Sequence, residues 1–204
     1  MEATERFARW TRYVNAIHDE TVHAFWNRKV FRSVGAMFES NERLRKSGRH
    51  VHQWVGELYA IQAAMLVRRE LDKQAGVMNL RHLLHDIEQN IDVLLEHSRA
   101  NGLPSAKQVR ADREGLEVAA EPTRQYAERL IAHRSPGPEP TLTFDQVDVA
   151  LRAVLVTMRK YYGYVTATDL LAGTPTPTFD WLSPFTFAWL TDGFREPDDD
   201  EGLE

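Results

Sequence analysis

The chain reads as all-α, and three observations carry that reading. Apolar residues recur at spacings of three and four along almost its whole length, which is the period of an amphipathic helix. No run alternates apolar and polar residues as a half-buried strand would. The stops between periodic segments are also those that end helices: Ser47-Gly48, Gly76, Asn101-Gly102 before Pro104, and the run Ser135-Pro136-Gly137-Pro138-Glu139-Pro140. The architecture expected from these segments is an up-and-down bundle of about five to seven helices with a C-terminal aromatic-rich extension.

Taken in order, Phe7, Trp10, Val14 and Ile17 mark the first amphipathic face. Phe25, Trp26, Val30, Val34 and Phe38 form a second stripe, so residues 3–46 read as one long bent helix or as two. From Arg49 to Lys73, the large residues Val51, Trp54, Leu58, Ile61 and Met65 predict the buried face of the next helix. Asn79 suits an N-cap, and Leu80, Leu83, Leu84, Ile87, Ile91, Leu94 and Leu95 predict one continuous helix after it. The more polar stretch Ser105 to Ala120 reads as a short helix and connector. Pro122 is placed in the first turn of a further helix reaching His133, because its missing N–H is harmless there. Thr143-Phe144-Asp145-Gln146 has the form of a capping box. It launches a long helix with Val147, Leu151, Val154, Met158, Tyr161, Tyr162 and Val165 on one face, ending near Gly173.

Residues 1–173 are therefore expected to form the bundle. Residues 174–194, opened by Thr174-Pro175-Thr176-Pro177, are expected to dock their aromatic side chains on an apolar groove, with a dimer or partner contact as the alternative. The acidic residues 195–204 read as a disordered tail.

Of the 204 residues, 43% are hydrophobic and 27% charged, enough for a sizeable core. The net charge of -5 argues against a large non-specific nucleic-acid surface while leaving room for a local basic face. With no cysteine, neither disulfides nor thiolate metal sites are available. No apolar run approaches the roughly 20 residues that span a bilayer. The first ten residues alternate in charge and do not read as a signal peptide. A cytoplasmic protein without membrane partners is the expectation.

Among residues able to carry chemistry, Arg124 to Arg134 stand out. Helical spacing sets Arg129 and His133 one turn apart on one face, with Tyr126 near the same side and Arg134 following. Such a pair can cleave RNA without a metal or other cofactor: His moves a proton while Arg stabilises charge on phosphorus. Equally, a histidine in a last helical turn interacts favourably with the helix dipole and needs no catalytic role. Glu20 and His23 have the Glu-x-x-His spacing of dimetal bundles, but the sequence holds no second copy. His82, His85 and Asp86 form another short cluster, too small for the three or four ligands a metal takes. No metal site is expected.

Two regions resemble the HEPN superfamily, and within it the abortive-infection branch of the Abi-U type. One is Arg69-Glu70-Leu71-Asp72-Lys73, a short turn, then Asn79-Leu80-Arg81-His82-Leu83-Leu84. The other is Ala127-Glu128-Arg129-Leu130-Ile131-Ala132-His133-Arg134 before a loop and a long helix. With the order of helices around them, the likeness covers residues 5–170. The resemblance implies a helical bundle that forms a homodimer and acts as a metal-independent RNase, toxin or antiphage domain. It also implies RNA or a nucleotide as ligand and a neutralising antitoxin protein as partner. Such members use an Arg, four to six intervening residues, then a His. His133 matches that histidine. Arg129 and Arg124 fall outside the spacing, and Ala127 and Glu128 stand where the arginine is expected. On this resemblance Arg129 takes the arginine's part, with Arg124, Tyr126, Arg134, Arg69 and Asp72 binding or supporting. A non-catalytic interaction or nucleotide-binding module is the alternative reading.

Overall fold

The computed structural model describes residues 2–42, 45, 49–74, 76–132 and 141–169. Every regular element among them is helical: α1 (Ala3–Ser40), α2 (Arg49–Glu70), α3 (Leu80–Gln89), α4 (Ile91–His97), α5 (Ala106–Tyr126) with a π-helical turn (Ala127–Ala132), and α6 (Phe144–Thr166). The readings placed on 133–140 and 170–204 lie outside the described residues.

Helix ends follow local chemistry. The Asn79 side chain accepts from the His82 amide and caps α3. Thr143 and Gln146 satisfy each other's backbone amides at the start of α6, and Ser105 with Gln108 does the same for α5. Gly102 (φ +66°) and Gly76 (φ +83°) turn the chain where only glycine does so without strain.

α1 packs on α6, α2, α3 and α4, while α5 packs on α6, α3 and α2. Between them lies a core of Trp10, Val14, Ile17, Leu80, Leu83, Leu84, Ile87, Leu94, Met158 and Tyr161, all 2% exposed or less. The predicted stripes of the first helix and of α6 point into it.

Four expectations are corrected. Of the two readings left open for the start of the chain, residues 3–40 form the single helix, continuing through Gly35, and the first correction lies in its second stripe. The stripe of its second half is only partly inward: Val34 is buried, whereas Phe25 is 40% exposed. Phe31 does the packing there instead, stacked on Tyr59 with ring centroids 4.5 Å apart. Second, the helix expected over 80–95 breaks at Asn90. Its side-chain amide donates to the Asp86 carbonyl and competes with the ladder; beyond the break Leu95 turns to solvent. Third, α5 runs unbroken through Pro122. Its buried positions Val109, Leu116, Ala120 and Thr123 keep helical spacing across the proline. The carbonyl deprived of its donor belongs to Val118, in a turn exposed to water.

The fourth correction concerns α2. Val51, Trp54, Leu58, Ile61 and Met65 face solvent, and the helix buries Gly56, Tyr59, Ala63, Ala64, Leu66 and Val67 instead. Both sets have helical spacing. The smaller set lies inside because small side chains let α2 approach its neighbours closely. A methyl group at Gly56 would stand only 2.9 Å from the Phe144 ring.

Carboxylates on one helix hold cations of another. Asp86 of α3 accepts from Arg6 (2.9 Å), Arg9 (2.6 Å) and the Trp10 indole (2.5 Å) of α1. Asp148 of α6 accepts from Arg28, Arg32 and Tyr59. Glu88 takes Arg110 and Arg113, and Asp112 takes Lys160 and Tyr161. Replacing Asp86 with Ala leaves the fully buried Trp10 indole without an acceptor and two arginines without their counter-ion. A loss of about 2–3 kcal/mol in unfolding free energy is expected from urea denaturation. A change within ~0.5 kcal/mol would show that the clamp is energetically idle.

Candidate functional site

The end of α5 carries the residues singled out for chemistry. Helical spacing places Glu121 and Glu128 one turn either side of Arg124, and both hold its guanidinium, at 2.9 and 2.7 Å. Their contact, Glu121 first, raises the Arg124 pKa against a smaller opposing effect of burial. Arg124 is therefore a buttress of its own helix, occupied by two carboxylates. Ala127, at one position where the resemblance expects an arginine, is fully buried. Glu128, at another, is the partner of Arg124. Arg129 is exposed on the π-helical turn, a winding found disproportionately at functional sites. His133 and Arg134 lie outside the described residues.

Tyr126, one residue before that turn, forms part of the wall of a cleft of about 540 Å³. Phe31 of α1, His52, Gly56 and Ile61 of α2, and Phe144 of α6 contribute other walls. Rings stack in a ladder along its wall, His52 near-parallel to Phe31 at 6.5 Å and Phe31 on Phe144 at 5.0 Å, and Phe38, outside the lining, stacks on His52 at 5.1 Å. Tyr59 extends the ladder inward, and its hydroxyl donates to Asp148 at 2.9 Å. Burial and this bond push the Tyr59 pKa up, so it stays a neutral donor. Burial works against ionisation of Asp148, yet Arg28, Arg32 and Tyr59 together hold its carboxyl below the usual range. Apolar ring walls with a few polar groups, Gln53, Glu57 and Thr143 among them, suit a flat aromatic ligand.

Arg69 and Asp72 line a different cleft, of about 410 Å³, with Glu20, His23, Met65 and Arg68. Arg69 is paired with Glu20. Asp72 accepts from the Gln74 amide, and its carbonyl accepts from Asn79, so its work is to shape the turn into α3. The structure thus brings Arg124, Tyr126 and Arg129 onto one segment and sets Arg69 and Asp72 in the other cleft. Glu20 and His23 share that second cleft, but no group of three or more metal-binding side chains exists among the described residues. The His82 ring engages the Val77 carbonyl, and Asp86 is committed to α1.

His52, Phe31, Phe144 and the Asp148 hub were not singled out from sequence. Asp148 meets Arg28 and Arg32 across 120 and 116 residues, and no linear pattern signals such a meeting. Comparison with family models finds no match, and comparisons with curated proteins and with solved structures find none either.

Glu70, beside Arg69, is 1% exposed and accepts from the Leu80 amide at 2.9 Å. Burial pushes its pKa from 4.5 up to about 7, against the smaller opposing effects of that bond and of Arg69. A carboxyl raised on folding binds its proton more tightly in the native state. Its contribution is therefore fully present below about pH 4.5 and is lost as pH rises through about 7. The fall amounts to ~3 kcal/mol at most. Glu70→Gln keeps an acceptor for Leu80 and is expected to remove this component. Urea unfolding of both proteins at pH 5 and pH 8 tests it, and equal pH dependence in the two would sink the assignment.

Proposed function

We propose that this chain is a metal-independent endoribonuclease-type toxin or antiphage domain, built as an up-and-down helical bundle and acting in the cytoplasm. The observation that carries the reading is the adjacency of an aromatic-walled cleft to the π-helical turn that bears the exposed Arg129. In this reading a nucleobase stacks among Phe31, Phe144 and Tyr126, as unpaired RNA bases do on aromatic side chains. The ribose 2′-oxygen then attacks the adjacent phosphorus, forming the 2′-O–P bond and breaking the bond to the 5′-oxygen. His133 manages one of the two proton transfers, taking the proton from the 2′-hydroxyl or giving one to the leaving 5′-oxygen, and water serves the other. Arg129 stabilises the negative charge that builds on the phosphoryl oxygens. RNA is the substrate class, and an antitoxin protein is the natural regulator of such an activity. No helix among the described residues is long and apolar enough to cross a membrane.

A second reading, a non-catalytic module that binds a nucleotide or protein, is favoured by one specific finding. The three positions that the spacing of four to six intervening residues allows hold Tyr126, the buried Ala127, and Glu128, which is already paired with Arg124. None brings positive charge towards a phosphate.

Cleavage of mixed cellular RNA by the purified chain in EDTA separates the two. Activity is expected in the wild type, with a loss of about 10²–10⁴-fold in His133→Ala and about 10²–10³-fold in Arg129→Ala. Cleavage that survives both substitutions removes these residues from the mechanism. No cleavage by the wild type, with nucleotide binding retained, establishes the binding module.

A further inference from the structure

α2 turns its largest apolar residues outward. Val51, Trp54, Leu58, Ile61 and Met65 are 54, 60, 48, 42 and 36% exposed. Their spacing alternates three and four without interruption, which is the a/d seam of a coiled coil rather than the broader face a helix shows to a globular core. At 1.5 Å per residue the seam is about 21 Å long. Single exposed apolar residues are ordinary, but a contiguous stripe marks an interaction surface.

The chemistry of the stripe narrows its occupant. Between Val51 and Met65 the chain holds no Lys or Arg, and its one charged side chain is Glu57. Such a surface has nothing with which to attract a nucleic-acid backbone or an anionic lipid headgroup. A narrow a/d seam is matched by another helix with the same repeat, and the nearest such helix is α2 itself. Facing its own copy, the stripe sets apolar side chains of mixed size against one another, flanked by neutral Gln53 and Gln62. An isologous pairing of this kind needs only a two-fold axis.

We propose that the exposed seam of α2 is the surface through which two copies of this chain associate, α2 packed against α2. The stripe and its polar flanks present on the order of 500–600 Å² per copy, so the pair buries about 1,000–1,200 Å², the lower end of specific interfaces. Ile61, Gln53 and Glu57 belong both to this exposed face and to the walls of the aromatic cleft. The second copy therefore sits at the cleft's edge and completes its rim. The inference uses nothing from the assignment of Arg129 and His133, so it stands or falls separately from the nuclease reading.

The test is the mass of the full chain by sedimentation equilibrium, for wild type, Trp54→Glu/Leu58→Glu, the milder Leu58→Gln, and Val149→Glu as a control. Val149 is 55% exposed on α6, away from the seam residues in sequence and on a different helix. All three substituted sites are exposed in the single chain, so helicity by circular dichroism is expected to be unchanged. Wild type and Val149→Glu are expected as dimers. The double variant is expected as a monomer, its dissociation constant raised at least roughly thirty-fold, with Leu58→Gln between the two. A monomeric wild type overturns the proposal and leaves the stripe to another occupant, such as residues 174–194. So does a double variant that stays dimeric, or a control that dissociates as readily.

Discussion

The position of α1 depends on two carboxylates supplied by other helices. At 38 residues α1 is the longest element, about 57 Å of helix, and its apolar residues do not define one continuous face. Only its first half inserts a strong apolar set, Trp10, Val14 and Ile17. Hydrophobic burial alone would leave the rotation of the second half poorly determined. Asp86 fixes the first half through Arg6, Arg9 and Trp10, and Asp148 fixes the second through Arg28 and Arg32. Charge-assisted bonds are directional where apolar contact is not. A half-buried carboxylate also penalises any arrangement that leaves it unpaired. These clamps thus select one docking of α1 among several that bury similar area.

The aromatic cleft follows from the second clamp. Asp148 holds Tyr59 from below while the arginines on α1 hold Phe31 in stacking distance of that same ring. Phe144 sits four residues before Asp148 on the same helix, one turn away, and closes the ladder. The clamp therefore consumes Arg28 and Arg32 as structural groups. Arg124 is consumed likewise by Glu121 and Glu128, and Arg69 by Glu20. Of the described arginines that the sequence nominated, Arg129 alone is placed in solvent without such a carboxylate clamp. That freedom from a carboxylate is the physical ground on which Arg129 is proposed as the phosphate partner, independent of spacing.

What was legible in the sequence was local or strongly periodic. Asn79 and the Thr143–Gln146 box act through their own backbone neighbours, so their caps could be read directly. The stripes of α3 and α6 were legible because the large residues and the buried residues are the same ones. α2 breaks that identity. It has two helical stripes, and periodicity cannot say which faces inward; residue size pointed to Trp54 and Leu58, but closeness of approach favoured Gly56, Ala63 and Ala64. Pro122 misled for a related reason: its cost depends on whether the orphaned carbonyl meets water, which is a tertiary fact. Tyr126 and Arg129 could be nominated together because they share one segment. The separation of Arg69 and Asp72 from them, and the Asp148 hub, arise from contacts between helices far apart in the chain.

The two faces of α2 bear on how binding and association relate. The inner face is built for close packing and sets the depth of the cleft through Gly56 and Tyr59. The outer face is built from side chains too large for that role. Ile61, Gln53 and Glu57 lie where the two faces meet, at the cleft's rim. Anything that packs on the outer face must therefore alter the rim, and a ligand that fills the cleft must meet whatever packs there. Coupling between the two requires no moving lid, because a single rigid helix carries both surfaces. Binding energy at one surface changes occupancy at the other only through contacts made by those shared residues, and the change must be equal in both directions.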